Sequence, residues 1–325
     1  MLRSGWIVAA LVLVMLPSPA LAQETTHQAL GDAWWTGPLL APSANTLPRG
    51  HVLIEPYLYD VISQGFYNAQ GTKVRAPHEN GFGSLTYINY GLANKFTVGL
   101  IPTFNYNEIS TGIGSSGVGM GDLTVQAEYR LHLFREGSWK PTTSVTVQEA
   151  LPTGRYDQLG SRLSDGMGSG AYTTTLALYT QTFFWMPNGR ILRLRFNVAP
   201  AFSRSANVQD VSVYGTSQGF RGYAKPGDSI FVDAAGEYSL TQRWVLALDA
   251  TYHNQANTNV AGYNLSNPTQ SVFLNSGSSR AWGLAPAVEY NFSSKVGVIL
   301  GVRTFPAGRN TSNSITPAIA INIVH

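Results

Sequence analysis

Leu123-Thr-Val-Gln-Ala-Glu-Tyr-Arg-Leu131 alternates without a break: Leu123, Val125, Ala127, Tyr129 and Leu131 are apolar, and Thr124, Gln126, Glu128, Arg130 and His132 are polar. Successive side chains of an extended strand point to opposite faces, so one face of this stretch suits lipid and the other water. The same rhythm recurs from His51 to the end of the chain: an alternating run, a tight turn, a second run, then a long loop rich in Gly, Ser and Asn. Hairpins with short turns at one end and long loops at the other are the signature of a transmembrane antiparallel up-and-down β-barrel. Function is thereby restricted to a pore, an uptake channel, a membrane-embedded enzyme or a surface structure.

Working outward from that stretch, alternation predicts strands over 52–61, 84–90, 96–105, 123–134, 141–151, 172–184, 191–202, 230–238, 244–252, 281–291, 296–305 and 315–324. That makes about twelve strands, an even number that puts both ends on one side, the periplasmic side of the short turns. Asn188-Gly189 is a strong hairpin signal in one of those turns. Aromatics flank all five turns (Tyr90 and Phe96, Phe134 and Trp139, Phe184 and Trp185, Tyr238 and Trp244, Tyr290 and Phe292), as expected of an interfacial girdle. Segments 62–77, 203–228 and 254–279 read as outer loops, the last two free to fold inward as a constriction or to recognise a surface ligand. Pro56, Pro102, Pro200, Pro286 and Pro317 fall inside expected strands, where each removes a ladder hydrogen bond, so bulges or local strand ends are expected there.

At the N-terminus, Arg3, an apolar stretch from Trp6 to Leu16 and Ala20-Leu-Ala22 read as a cleaved signal peptide, residues 1–22. Residues 23–50 lack periodicity and read as a periplasmic segment or a plug in the lumen, with Trp34 and Trp35 as a hydrophobic gate; the barrel takes residues 51–325. Charged residues are only 12% of the chain, against about 25% in soluble domains. The net charge of +3 gives no argument for nucleic acid, and the absence of cysteine removes disulfides and thiolate metal ligation. A mean hydropathy of −0.04 is what half-polar strands give.

Several phrases resemble one family. The stretch from Gly37-Pro-Leu39 to Ser43-Ala-Asn-Thr-Leu-Pro-Arg-Gly50, then Tyr90-Gly-Leu-Ala-Asn-Lys-Phe-Thr-Val-Gly-Leu100, Gly119-Met-Gly-Asp-Leu-Thr-Val-Gln-Ala-Glu-Tyr-Arg130 and Leu151-Pro-Thr-Gly-Arg-Tyr-Asp157 are similar to outer-membrane proteins of the MetA-pathway-of-phenol-degradation family. The resemblance implies a bacterial outer-membrane barrel linked to uptake of aromatic or other hydrophobic compounds, with outer-membrane lipid and the barrel-assembly machinery as its partners. It supplies no catalytic residues and no cofactor. The chain departs from many such barrels by ending Ile323-Val-His325, where an aromatic residue is usual.

With apolar faces outward, the lumen is expected to be lined by Thr124, Gln126, Glu128, Arg130, Arg193, Arg195, Asn197, Asp233, Glu237, Asp249, Glu289 and Arg303, with Glu55 alongside. These side chains either form a charged solute path, with Arg193 and Arg195 as an anion station, or pair across the barrel and fill it. An enzyme reading finds little. Barrel phospholipases carry His-x-Ser on one strand, and none of His27, His51, His78, His132, His253 and His325 has serine two residues on. Asp249 and His253 make only a lone pair, and the glycines of 112–121 lack the lysine of a phosphate-cradling loop. The expectation is a non-enzymatic channel for passive uptake of small hydrophobic or aromatic compounds, with an adhesive or structural surface barrel as the alternative.

Overall fold

A computed structural model describes residues 27–325. The signal peptide expected at 1–22 lies outside the described residues. In chain order the first strands are β1 (Val52–Tyr67), β2 (Lys73–Ala93), β3 (Phe96–Ile101), β4 (Thr103–Ile109), β5 (Gly119–Met120), β6 (Leu123–His132), β7 (Thr142–Leu151), β8 (Thr173–Trp185) and β9 (Ile191–Ser203). Then come β10 (Ala206–Gln209), β11 (Phe220–Lys225), β12 (Ser229–Ser239), β13 (Trp244–Gln255), β14 (Asn259–Asn264), β15 (Asn267–Asn275), β16 (Ser279–Asn291), β17 (Val296–Arg309) and β18 (Thr311–Val324).

Twelve antiparallel staves close into a barrel, because β1 pairs both with β2 (Val52 opposite Tyr90) and with the last strand, β18 (Leu53 opposite Val324). Closure leaves no open edge, which a sheet in lipid requires. The alternation read from the sequence is the wall itself. On β13, Val245, Ala247, Asp249 and Thr251 are buried inside, while Leu246 and Leu248 are exposed on the outer face. Leu58, Leu100, Val147, Leu176, Leu194, Leu284, Leu300 and Ile319 continue that apolar belt. At the periplasmic end Trp244, Tyr290 and Phe292 cluster, with centroids 4.7 and 5.0 Å apart.

The prolines are accommodated in two ways. Pro102 separates β3 from β4: β3 pairs with β6, whereas β4 turns away to pair with β5. The other four sit in two-residue gaps of one ladder, at 55–56 and 316–317 between β1 and β18, at 199–200 between β8 and β9, and at 285–286 between β16 and β17. The missing N–H faces an interruption, not a bond that must be broken.

Four expected loops are corrected. The loop through Pro77 is the upper half of the β1–β2 hairpin, which turns at 68–72 and carries a bulge at Gly65, a position at φ 130°. The last outer loop is a tight turn at Asn310, between β17 and β18. Segments 203–228 and 254–279 form a second antiparallel sheet, in the order β10-β11-β14-β15, in place of an irregular constriction. Its core is Val208, Phe220, Ala224 and Val260, with Tyr156 and Tyr214 packed against it. Phe220 lies across Gly222 and Gly262, where a Cβ would come within 2.8 and 2.7 Å of its ring.

Candidate functional site

Inside the barrel two kinds of polar group meet: side chains on the inward faces of strands, and the backbone of residues 28–50, which beyond one 3-10 turn at Leu30–Asp32 has no secondary structure to satisfy its donors and acceptors. This segment starts at the short turns. Gln28 donates its N–H to the Gly189 carbonyl, and Trp34 donates to Gln242. It climbs past the charged side chains of β9, β13 and β16, then returns to the turn at 91–95, where Thr46 donates to the Asn94 carbonyl and Gly50 to that of Gly91.

The contacts on the way are specific. Glu289 accepts the N–H groups of Thr36 at 2.7 Å and Gly37 at 3.1 Å. Asp249 accepts those of Leu39 at 3.0 Å and Ala41 at 3.0 Å, with Leu40 at 3.3 Å. Arg195 donates to the Ala41 carbonyl at 2.7 Å, and Asn197 to that of Pro42 at 3.0 Å. Carboxylates therefore meet amide donors, and cationic or amide side chains meet carbonyls. Leu39 fits because the wall beside it is small, formed by Ala247, Ala285, Ala287, Ala318 and Ala320. Gly37, at φ 126°, bends the chain next to the Arg195 guanidinium.

Arg193 and Arg195 both engage Glu237. Arg193 forks onto it through Nε at 2.6 Å and through Nη2, and Arg195 Nε lies 3.1 Å away. Glu237 is fully buried, so both guanidiniums are paired with a carboxylate of the neighbouring strand. Trp35 caps the cluster, with the Arg193 guanidinium 4.4 Å from the ring centroid. Trp34 sits lower, at the turn, 5.7 Å from Arg243. Asp233 is buried with both carboxylate oxygens unpartnered, and the Arg303 side chain lies over Phe305 at 4.7 Å.

The remaining interior is open on the side of β1, β2, β3 and β6. Between that wall and residues 35–48 lies a cavity of about 500 Å³, lined by Glu55, Tyr57, Tyr87, Glu128, Arg130 and Tyr179 among others. Tyr57 and Tyr87 meet edge to face at 6.0 Å. Glu128 accepts from Ser144 at 2.6 Å, and Asn89, Gln126 and Gln148 form a chain of amides at 2.7 and 2.9 Å. A second cavity of about 510 Å³ lies toward the outer end, lined by Tyr59, Val61, Ser63, Asn105 and Asn107 among others. Glu55, Tyr57, Tyr59, Val61 and Ser63 are alternate residues of β1, so both cavities follow the inward face of that one strand. The sequence reading missed the tyrosines: only polar and charged side chains were named as lining the lumen. Among the described residues no cluster of His, Asp and Glu is arranged to hold a metal.

A closed twelve-stave wall with an apolar belt, short turns below and a long-loop sheet above defines an outer-membrane β-barrel. The chain belongs to the family described as "Putative MetA-pathway of phenol degradation", whose model matches residues 64–314. Among solved structures it is similar to the COG4313 outer membrane channel from Pseudomonas putida F1, at 14% identity and a TM-score of 0.68 over 88% of this chain and 100% of that one. Weaker likenesses are to the TodX deltaS2S3 mutant monoaromatic hydrocarbon channel (12% identity, TM-score 0.42, 90% and 96% covered) and a Pseudomonas aeruginosa FadL homologue (8%, 0.37, 85% and 89%). No curated protein sequence matches the chain.

Proposed function

We propose that this barrel is a non-enzymatic channel for passive entry of small hydrophobic or aromatic molecules, and that residues 28–50 are its plug. The observation that carries the reading is the pair of cavities strung along β1, one open toward the outer end and one closed below by residues 35–48. Their tyrosine rings offer flat apolar faces, and the amides and carboxylates between them offer acceptors for a hydroxyl, a combination suited to a phenol-like solute. The family description points to the same chemistry. Glu128, Arg130 and Glu55 line the path, whereas Arg193, Arg195, Glu237, Asp249 and Glu289 hold the plug, with Trp35 as its gate and Trp34 as an anchor at the turn. Asp233 and Arg303 face the lumen beyond the plug. Outer-membrane lipid surrounds the belt, and the barrel-assembly machinery inserts it.

The test is single-channel recording of the refolded protein in a planar bilayer, with and without residues 23–43. The plugged form is expected to open rarely, and the deletion to raise conductance several-fold. Small aromatic acids are expected to block the openings. Equal conductance of the two forms overturns the plug, and indifference to every aromatic solute overturns the cargo.

A further inference from the structure

On the outer wall, directly paired residues form rows that run across the strands. One row holds Tyr252 of β13, Trp282 of β16 and Ala307 of β17. Tyr252 and Trp282 lie with ring centroids 4.5 Å apart, and Trp282 is 54% exposed on the lipid-facing side. Such residues mark the boundary between acyl chains and headgroups. The next row outward, about 7 Å further along the strands, holds Asn254, Arg280 and Arg309 directly opposite one another.

Two arginines in direct cross-strand register repel. Among the described residues no carboxylate lies within ion-pairing distance of either, and the Arg309 Nε is enclosed without a partner. The two flank a polar recess of about 180 Å³ completed by Asn254, Ser278 and Ser279. The recess is braced from behind: Asn310, in the left-handed turn at φ 45°, donates its amide to the Ser278 carbonyl at 2.9 Å. Below it the wall is apolar, with Leu284, Leu248 and Leu300 exposed.

We infer that this recess binds the phosphate of an outer-leaflet lipid. A phosphate supplies the negative charge that two facing guanidiniums lack, in the planar geometry arginine prefers. Asn254, Ser278 and Ser279 add neutral donors around it. The height of the recess, one row above an interfacial tryptophan, places the attached acyl chains against the leucine wall. A free anion would gain nothing from that wall.

The experiment is native mass spectrometry of the intact barrel in detergent with three probes: lipid A carrying its phosphates, dephosphorylated lipid A, and inorganic phosphate. Phosphorylated lipid A is expected to bind at least about tenfold more tightly to the wild-type protein than to the Arg280→Gln/Arg309→Gln variant, the loss expected for charge-assisted hydrogen bonds. Folding of the variant is checked by heat-modifiable gel mobility. Asn254→Asp, which adds an anion to the same row and leaves both arginines in place, is expected to weaken binding similarly. Equal binding of phosphorylated and dephosphorylated lipid A overturns the inference, as does equal binding by wild type and either variant. Inorganic phosphate that binds as well as the lipid and displaces it overturns the lipid as the source.

Discussion

Asp249 holds Ala41: its carboxylate accepts the Ala41 N–H at 3.0 Å, from a strand position more than two hundred residues away in sequence. The same carboxylate serves Leu39 and Leu40, so one buried side chain satisfies three consecutive donors of a segment that has no ladder of its own. Asp249→Ala leaves those donors without acceptors, at a cost of about 1–3 kcal/mol for each that stays buried. The segment is expected to detach while the wall persists. Single-channel records of the variant should show more frequent openings, with unchanged heat-modifiable mobility. A quiet channel identical to wild type would count against the role given to Asp249.

The outer sheet has its own core, centred on Phe220, so it should be separable from the barrel below. Phe220→Ala removes the ring that covers Gly222 and Gly262 and costs about 3–5 kcal/mol at that site. Segments 204–228 and 256–278 are then expected to become sensitive to added protease in folded protein, with the staves still resistant. Equal protease resistance in both proteins would show that the barrel, and not this core, holds the sheet.

Asp210 ties the turn between β10 and β11 to that sheet. Its carboxylate accepts from Arg221 at 3.0 Å and from the Gly219 N–H at 2.9 Å, which holds its pKa below the ordinary value. A group whose pKa is lower in the folded state stabilises above its unfolded pKa, and that contribution fades as pH falls through its folded value. Hydrogen exchange at the β11 amides should therefore quicken relative to the barrel staves as the carboxylate range is entered from above. Asp210→Asn should flatten that dependence; a variant retaining the full pH response would place its origin elsewhere.

The barrel was legible in the sequence because lipid on one side and a polar interior on the other impose period 2, as at Leu123–His132. Three things carried no such signal. The outer sheet lies beyond the lipid, so Asn259–Asn264 and Asn267–Asn275 need no apolar outward face and read as loop. Residues 28–50 are positioned by backbone donors and acceptors, which every residue possesses, so Asp249 and Glu289 looked like solute-path residues and not like holders of a chain. Tyr57, Tyr87 and Tyr179 were passed over because only polar and charged side chains were named as lumen residues, although a ring with a hydroxyl suits a wet cavity equally well.

Both ends of the inserted segment leave by the same mouth, Gln28 beside Gly189 and Gly50 beside Gly91. Nothing is threaded: the segment is a loop pushed in from below, and no stave need part from its neighbour for it to come out again. The seam between the first and last strands can stay sewn while the interior empties. On the proposed plug reading, opening exchanges the segment's hydrogen bonds to the wall for water, a change on the scale of a local rearrangement, and the wall that keeps the membrane sealed takes no part in it.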